Sequence, residues 1–376
     1  MTGSRPCVEF LRKLSAQLGL EFQVECPVTK EKPTVVLTWI GRNPTLPSIL
    51  LNSHMDVVPV FEEFWTHKPF AADIDEEGKI FARGAQDMKC VGMQYLGAIR
   101  ALNHAGIVLE RTLHVVFVPD EEIFGPEGMA AFVTTDAFKS LNVGFTLDEG
   151  IASPTDVFPV FYGERTCWHV LFKIMGQPGH GSLLLKDTVA EKLRVLLDKI
   201  YDFRRTQEKI LEDNPDLLLG DVTTVNVTKM KCGKQRNVLP PSMDVTCDIR
   251  MAVTVDTVEF EKMLFRWAKE AGDDIGIEFL VKETYCSPTA IDDTSIYWKA
   301  FESAFIELNL KIKPQIFPAG TDASYIRAAG IPAIGFSPMD NTPVLLHDHD
   351  EFLKADVYLK GIEIYKKILE KVGNAI

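Results

Sequence analysis

Histidine and carboxylate side chains recur at five places along the chain, each beside a predicted element of secondary structure. They are His54, Asp56, Asp87, Glu121, Glu122, Asp148, Glu149, His347 and His349. Three of the places come directly after short apolar segments typical of strands, one lies in a loop that opens a helix, and one follows the last predicted strand. Imidazole and carboxylate groups that converge in this way suit metal binding and acid–base catalysis.

The negative charge of this set favours the metal hypothesis. The four acids that would lie closest together are Asp87, Glu121, Glu122 and Glu149. Without a cation, like charges in one site raise carboxylate pKa values and destabilise the fold. A pair of divalent cations would balance three ligand carboxylates and a bridging hydroxide. Imidazole combined with carboxylate suits zinc better than magnesium or calcium, which prefer oxygen ligands.

Each residue also has a simpler interpretation when it is taken alone. A single histidine after a strand is usually a surface or core histidine, and an adjacent acid pair is usually a solvated turn. These interpretations weaken because several such residues are expected at the same edge of one sheet. The histidines interpreted as structural are His67, His104, His114 and His169.

The elements that position these residues alternate between strand and helix over the first 160 residues. Strands are predicted at 35–40, 48–53, 113–118 and 143–147, and a helix at 88–105. This order predicts an α/β domain whose mostly parallel sheet is covered by helices. In an open sheet of this kind, ligands bind beyond the carboxyl ends of the strands, so the candidate residues should share one edge.

A different pattern begins near residue 166. Strands and helices follow in the order βαββαβ up to residue 284, which predicts an inserted α+β, ferredoxin-like domain. We therefore expect an α/β domain at 1–163 and 286–376, interrupted by an α+β lid domain at 164–285.

Composition excludes several classes of protein. The 376 residues include 53 acids and 40 bases, for a net charge of −13, and no run of bases predicts nucleic-acid binding. No apolar stretch reaches the roughly 18 residues that cross a bilayer, so we expect no membrane partner. The first ten residues lack the apolar region of a secretory signal, and the seven cysteines are scattered. These features predict a cytoplasmic protein with reduced thiols.

Several motifs resemble the dinuclear zinc family of aminoacylases, carboxypeptidases and desuccinylases, and the resemblance covers nearly the whole chain. The motifs are LLNSHMDVVPV (50–60), ARGAQDMK (82–89), FVPDEE (117–122), TLDEG (146–150), GQPGHGS (176–182), RNVLP (236–240) and LLHDHDE (345–351). YGER (162–165) and FSPMDNTPVLLHDHDE (336–351) are similar to the aminoacylase branch in particular.

The resemblance implies a role for each candidate metal ligand. Two Zn2+ ions per subunit would be held by His54 and Glu149 at one position, by Glu122 and His347 at the other, and by Asp87 as a bridge. Glu121 would be the general base, and Asp56 would orient a histidine ligand. The peptide bond after the bridging aspartate, Asp87–Met88, is expected to be cis.

The resemblance also implies a set of residues that contact the substrate. They are Asn237, Arg250, Gly320 and Thr321, together with His180, a catalytic residue that would donate a hydrogen bond to the tetrahedral oxyanion. His180 would reach the site of the partner subunit in a dimer, and Arg250 would pair with the substrate carboxylate. A strand-face ion pair is the alternative for Arg250, and a turn residue is the alternative for Asn237.

The implied activity is hydrolysis of N-acyl-L-amino acids by a cytoplasmic, homodimeric zinc enzyme. One alternative is a dipeptidase or another amide hydrolase of the same family, and the other is a non-catalytic homologue that binds a partner. Two features depart from the family pattern. The chain begins almost at the segment 6–20, where relatives usually have another helix and a loop first. Phe124 also stands where glycine is usual, which is costly if that position needs a positive φ.

Overall fold

The computed structural model describes residues 5–376. The helices in this range are α1 (Arg5–Leu18), α2 (Lys89–His104), α3 (Met129–Phe132), α4 (Asp136–Ser140), α5 (Val189–Asp213), α6 (Thr257–Ala271), α7 (Ile296–Leu308), α8 (Ala323–Ala328) and α9 (Ala355–Val372). The strands are β1 (Glu21–Glu25), β2 (Thr34–Trp39), β3 (Ser48–His54), β4 (Asp73–Ile74), β5 (Lys79–Phe81), β6 (Leu113–Val118), β7 (Val143–Asp148), β8 (Val157–Glu164), β9 (Thr166–Met175), β10 (Gly179–His180), β11 (Thr224–Cys232), β12 (Val238–Leu239), β13 (Ser242–Met251), β14 (Ile275–Lys282), β15 (Lys311–Phe317), β16 (Ala333–Gly335) and β17 (Phe352–Lys354).

The chain divides into two compact units. Unit 1 contains the residues up to Gly163 together with Pro288–Gln315 and Thr321–Ile376. Unit 2 contains Glu164–Ser287 and a second, short stretch, Ile316–Gly320. In the described part of the chain, no helix has the length and apolar character required to cross a bilayer.

Unit 1 is built on an eight-stranded sheet in the order β1-β2-β6-β3-β7-β16-β8-β15. The four central strands, β6, β3, β7 and β16, pair in parallel, whereas β1, β2 and β8 pair antiparallel. The α/β prediction is confirmed, but parallel pairing is confined to the centre of a mixed sheet. At one edge the reason is local, because β1 and β2 are joined by a loop too short for a parallel crossover.

Helices cover both faces of the central strands. All residues of β3 and β6 are buried, which explains why these segments are continuous apolar runs in the sequence. Ile49 and Leu51 point into the core shared with α1, α2, α7 and α9, whereas Leu50 points into the core shared with α3, α4 and α8. This alternation follows from the period of two in a strand.

Helix α2 approaches the sheet closely at Gly92. A Cβ atom at this position would lie 2.6 Å from Ser53 Oγ and 2.8 Å from the Phe117 ring. Glycine is therefore required for the helix to pack at this distance. Asp87 lies two residues before the start of α2, and its Oδ1 is 2.9 Å from Nε2 of His54, the last residue of β3.

Unit 2 contains a four-stranded antiparallel sheet in the order β11-β13-β9-β14, packed against α5 and α6. The βαββαβ prediction is confirmed for this unit. Thr188 and Glu191 form the predicted capping box at the start of α5. A short pair of strands, β10 and β12, extends this pattern and was not predicted.

Candidate metal centre

His54, Asp87 and Glu149 form the first candidate ligand group of unit 1. His54 Nε2 lies 2.9 Å from Asp87 Oδ1 and 3.7 Å from Glu149 Oε2. The potential ligand atoms of the three residues all lie within 4.8 Å of one another. His54 is the last residue of β3, and Glu149 follows β7 directly. The two strands are parallel neighbours, so they present these residues at the same edge of the sheet.

Asp87, Glu122 and His347 form the second group. His347 Nε2 lies 3.0 Å from Glu122 Oε2 and 3.2 Å from Asp87 Oδ2. Glu122 lies in a single 3-10 turn, Glu121–Ile123, that follows β6. Asp87 thus belongs to both groups, through one carboxylate oxygen for each, and its peptide bond to Met88 is cis.

The charged side chains of the two groups shift the pKa values of their neighbours. Burial and the charge of Asp87 raise the pKa of Glu149 well above its usual value. Burial alone would raise the pKa of Asp87 as well, but hydrogen bonds from His347 and His54 lower it. Hydrogen bonds to Asp87 and Glu122 raise the pKa of His347 to about 10. To remain ionised together, these carboxylates need positive charge nearby.

This set of donors fits a pair of divalent cations. Protonated histidines can supply the positive charge, but a cation at each group would supply more of it and would use the histidines as neutral ligands. Each group offers one imidazole and two carboxylates, with one carboxylate in common. Mixed nitrogen and oxygen ligands of this kind suit zinc and other transition metals.

Asp56 connects His54 with the acidic pair after β6. The carboxylate of Asp56 accepts hydrogen bonds from the backbone N–H groups of Glu121 (3.2 Å) and Glu122 (3.1 Å). The Asp56 carbonyl accepts a hydrogen bond from His54 Nδ1 at 3.0 Å. With Nδ1 acting as donor, Nε2 remains free to bind a metal. The sequence suggested the contact to the histidine but not the contacts to the acidic pair.

Glu121 is half-buried beside the first group. Burial and the charge of Glu149 raise its pKa well above the usual value for a glutamate, and the charge of His54 partly opposes this effect. Glu121 and Glu122 are adjacent in the same turn, but only Glu122 belongs to a ligand group of the described residues. A carboxylate of high pKa beside a metal centre is suited to proton transfer.

Phe124 does occupy a position of positive φ. Its φ is 70°, and Gly125 follows with a φ of 54°. The Tyr325 hydroxyl donates to the Phe124 carbonyl at 2.6 Å, which helps to hold this conformation. A phenylalanine here costs of order 1–2 kcal/mol relative to a relaxed backbone. Phenylalanine in place of the glycine that is usual in the family therefore lowers the local stability of the turn that carries Glu121.

A buried polar layer lies behind the first group. Asn52 Nδ2 is 3.1 Å from Asp148 Oδ1 and 3.3 Å from Asp322 Oδ2, and all three residues are buried. Asp148 also accepts a hydrogen bond from the Glu149 backbone N–H at 2.8 Å. Burial and the charge of Asp148 raise the pKa of Asp322 well above its usual value. Sequence reasoning missed Asn52 and Asp322, although an asparagine within an apolar strand is a signal of buried polar structure.

His180 and Asn237 lie close together in unit 2. His180 is in β10, which pairs with β12. Asn237 is the residue directly before β12. The Asn237 carbonyl accepts a hydrogen bond from the Gly181 N–H at 2.8 Å, and His180 Nδ1 lies 2.7 Å from Ser182 Oγ. Both His180 and Asn237 are exposed.

Arg250 lies on β13 of unit 2 and is paired with Asp248. Arg250 Nε is 3.0 Å from Asp248 Oδ1, and a terminal nitrogen is 3.1 Å from Oδ2. The strand-face ion pair considered above is therefore present. Gly320 is in unit 2 and Thr321 in unit 1, where the Thr321 carbonyl accepts a hydrogen bond from Ser324 N–H.

A third group of potential ligands, Cys167, His169 and Asp248, lies beside Arg250. This group is a poor cation site. Burial raises the pKa of the Cys167 thiol to about 12, and Asp248 is already paired with Arg250 and with His169 Nε2 at 3.0 Å. A metal there would have to displace a proton and compete with a guanidinium. We interpret the group as a hydrogen-bonded network.

The other histidines have structural surroundings. His67 stacks on Phe81 with ring centroids 3.9 Å apart, and His104 ends α2. His114 is buried, with Nδ1 2.9 Å from Thr38 Oγ1 and Nε2 3.2 Å from the Leu141 carbonyl. His349 contacts Phe64, with ring centroids 5.1 Å apart, and belongs to neither of the two groups.

The sequence of this chain is similar to a known family of peptidases. Residues 50–371 match the model of peptidase family M20/M25/M40. Aminoacylase-1 of Mus musculus is 50% identical over 367 residues, which are 98% of this chain and 90% of the relative. Aminoacylase-1 of Dictyostelium discoideum is 41% identical over 383 residues, which are 98% of this chain and 93% of the relative.

Solved structures share the fold at lower identity. A metallo-carboxypeptidase of the M20 family from Sulfolobus solfataricus has a TM-score of 0.73 and 20% identity, over 97% of this chain and 93% of that one. A dinuclear metal-binding M20 peptidase from Bacillus subtilis has a TM-score of 0.70 and 17% identity, over 99% of this chain and 93% of that one.

Proposed function

The chain belongs to peptidase family M20/M25/M40, and on this premise we propose that it hydrolyses N-acyl-L-amino acids to a carboxylate and a free L-amino acid. The observation that carries the proposal is the pair of ligand groups joined by Asp87, in a chain 41–50% identical to aminoacylases over 98% of its length. A solved tripeptidase and a solved dipeptidase are also similar in fold, but they are only 18% and 15% identical and support the fold alone.

Two zinc ions per subunit are the proposed cofactors. The residues that would hold them are His54 and Glu149, Glu122 and His347, and the shared Asp87. The ions would supply Lewis acidity toward the amide carbonyl and would lower the pKa of water near them. The support is the mixed imidazole and carboxylate set and the excess of negative charge around Asp87.

Glu121 is the proposed general base. Its carboxylate takes a proton from the attacking water and later donates that proton to the leaving amine. Its position supports this role, because Glu121 lies in the same turn as Glu122 but belongs to neither candidate ligand group, so its carboxylate is available for proton transfer. Asp56 keeps the turn of Glu121 in place through its two backbone hydrogen bonds.

The substrate residues of unit 2 complete the proposal. Arg250 would pair with the substrate carboxylate through its planar guanidinium, and Asp248 orients that group. His180 would donate a hydrogen bond to the tetrahedral oxyanion, in the site of a partner subunit. Asn237, Gly320 and Thr321 would make further polar contacts to the substrate.

We also propose that the protein is a cytoplasmic homodimer. Its catalytic domain would comprise residues 1–163 and 286–376, and its lid and dimerisation domain residues 164–285. The exposed position of His180 supports a role toward another chain, because a histidine at the surface of its own unit is available to a partner.

The first experiment combines metal analysis with hydrolysis of N-acetyl-L-methionine, before and after chelation. Two zinc ions per chain, with activity lost on chelation and restored by zinc, are the expected result. Bound metal without turnover of any N-acyl amino acid would contradict the substrate proposal, and a dipeptide panel would then identify the amide. Absence of both metal and turnover would contradict the enzyme proposal itself.

A further inference from the structure

Glu351 is a fully buried carboxylate that binds the loop of the bridging aspartate. It lies four residues after His347, at the end of the same loop, and its exposed fraction is 0%. Its Oε1 accepts hydrogen bonds from the backbone N–H groups of Gln86 (2.6 Å) and Asp87 (3.2 Å). Its Oε2 accepts from the Gly84 N–H (3.1 Å) and from Arg83 Nη1 (2.7 Å).

Gln86 makes the reverse connection. Its side-chain Nε2 donates to the carbonyls of Pro343 (3.0 Å) and Phe352 (2.8 Å). Its Oε1 accepts from the Leu345 N–H at 3.0 Å. The loop that carries Asp87 therefore holds the segment 343–352, which carries His347, and that segment holds the loop in return.

We propose that Glu351 and Gln86 form a reciprocal clamp that sets the distance between Asp87 and His347, and through it the affinity of the second ligand group for its metal. Neither residue belongs to a ligand group, so both are positioning residues. The inference rests on the proposed metal centre. It adds to that centre a reason why two loops from distant parts of the sequence keep a fixed geometry.

The clamp acts unequally on the two ligand groups. In the second group, two of the three ligands, Asp87 and His347, lie in the clamped loops. In the first group only Asp87 does, because His54 and Glu149 are fixed at the ends of β3 and β7. Loosening the clamp should therefore weaken one metal-binding step more than the other. A general loss of stability has no such preference.

The test titrates metal-free protein with Zn2+, using calorimetry to resolve the two binding steps. Gln86→Met has a similar side-chain volume but lacks all three hydrogen bonds to 343–352. It should weaken one step about 10–100-fold, the usual size of an effect on residues that orient metal ligands, and leave the other step nearly unchanged. Glu351→Gln should weaken the same step at least as much, and the other step slightly, because it also releases Asp87.

Tyr365→Phe is the matched control. It removes another buried hydrogen bond of unit 1, from the Tyr365 hydroxyl to the Phe336 carbonyl at 2.6 Å, without touching either loop. Its two zinc affinities should equal those of the unsubstituted protein, whatever its melting temperature. The clamp is refuted if Gln86→Met binds both ions normally, or if both steps weaken equally.

The two proposals fail in different ways. If the unsubstituted protein binds fewer than two zinc ions, the metal centre itself is wrong. If it binds two and Gln86→Met does as well, with unchanged affinities, only the clamp is wrong. Should Glu351→Gln fail to fold, Gln86→Met decides the question alone, since it leaves the buried carboxylate of Glu351 and its partner Arg83 intact.

Discussion

Asp87 lies between the two histidines of the centre, with Oδ1 2.9 Å from His54 Nε2 and Oδ2 3.2 Å from His347 Nε2. One carboxylate thus joins two ligand groups whose other members come from separate parts of the chain. A side chain with two equivalent oxygens can do this, whereas an amide has only one acceptor oxygen. With this geometry, a single aspartate could serve both of the proposed metal positions.

Glu121→Gln should retain metal and lose activity. The amide keeps the size of the side chain but cannot take a proton from water, so we expect kcat to fall roughly 10²–10⁴-fold. Steady-state hydrolysis of N-acetyl-L-methionine, together with metal analysis of the same sample, checks this. Near-normal turnover would remove Glu121 from its proposed role.

Arg250→Lys should discriminate against substrates with a free carboxylate. Lysine keeps the charge but lacks the planar fork that binds two carboxylate oxygens. A charged hydrogen bond of about 1.5–3 kcal/mol corresponds to a loss of roughly 10–100-fold in kcat/KM. N-acetyl-L-methioninamide, which has no carboxylate, is the control substrate. An equal loss on both substrates would assign Arg250 to the ion pair with Asp248 alone.

A mixture of two inactive variants should recover activity if subunits share their sites. His180→Ala lacks the donated histidine, and Glu121→Gln lacks the base. A mixed dimer would contain one complete site, so equal amounts of the two chains should give up to about a quarter of normal activity. Mass spectrometry must show that mixed dimers form. If they form and remain inactive, His180 does not act across subunits.

His114 should make the protein sensitive to mild acid. Burial lowers its pKa to about 4, from 6.5 in the unfolded chain. The unfolded state therefore binds more protons below pH 6.5. The stability contributed by neutral His114 is complete above pH 6.5 and decreases as the pH falls toward 4. The full effect is about 3 kcal/mol, of which about 2 kcal/mol should be lost by pH 5.

Urea unfolding of the unsubstituted protein and of His114→Gln at pH 7.5 and 5 isolates this effect. Glutamine does not titrate, and its amide can still donate to the Leu141 carbonyl. The free energy of unfolding should therefore fall less between the two pH values in the variant. An identical fall in both proteins would mean that carboxylates, and not His114, account for acid sensitivity.

The sequence predicted the fold because buried positions along a strand are occupied by apolar residues in a regular pattern. The continuous apolar runs of β3 and β6 reflect a sheet covered on both faces, and the alternation along β9 reflects a sheet packed on one. The antiparallel pairing of β2 with β6 and of β8 with β16 left no such pattern, because these strands lie far apart in the sequence.

The sequence predicted those site residues whose type alone indicates their chemistry. It did not predict the residues whose role depends on their position in three dimensions. Histidines and acids after strands could be found from their positions. The contacts of Asn52 with Asp148 and Asp322 could not, because they join residues up to 270 positions apart. The hydrogen bonds from backbone N–H groups to Glu351 also join distant residues, so the sequence does not show them. In addition, a glutamate near the end of a loop is ordinarily a solvated side chain.

Unit 2 contains two separate stretches of the chain, so a fragment designed to fold as unit 2 must include both of them. Arg165 donates its backbone N–H to the Phe317 carbonyl at 3.2 Å and its guanidinium to the Pro318 carbonyl at 2.6–2.9 Å. An excised fragment that ends at Ser287 would lack both acceptors and would leave a largely buried guanidinium without them. A recombinant version of this unit needs Ile316–Gly320 grafted back, for example through a linker or a circular permutation.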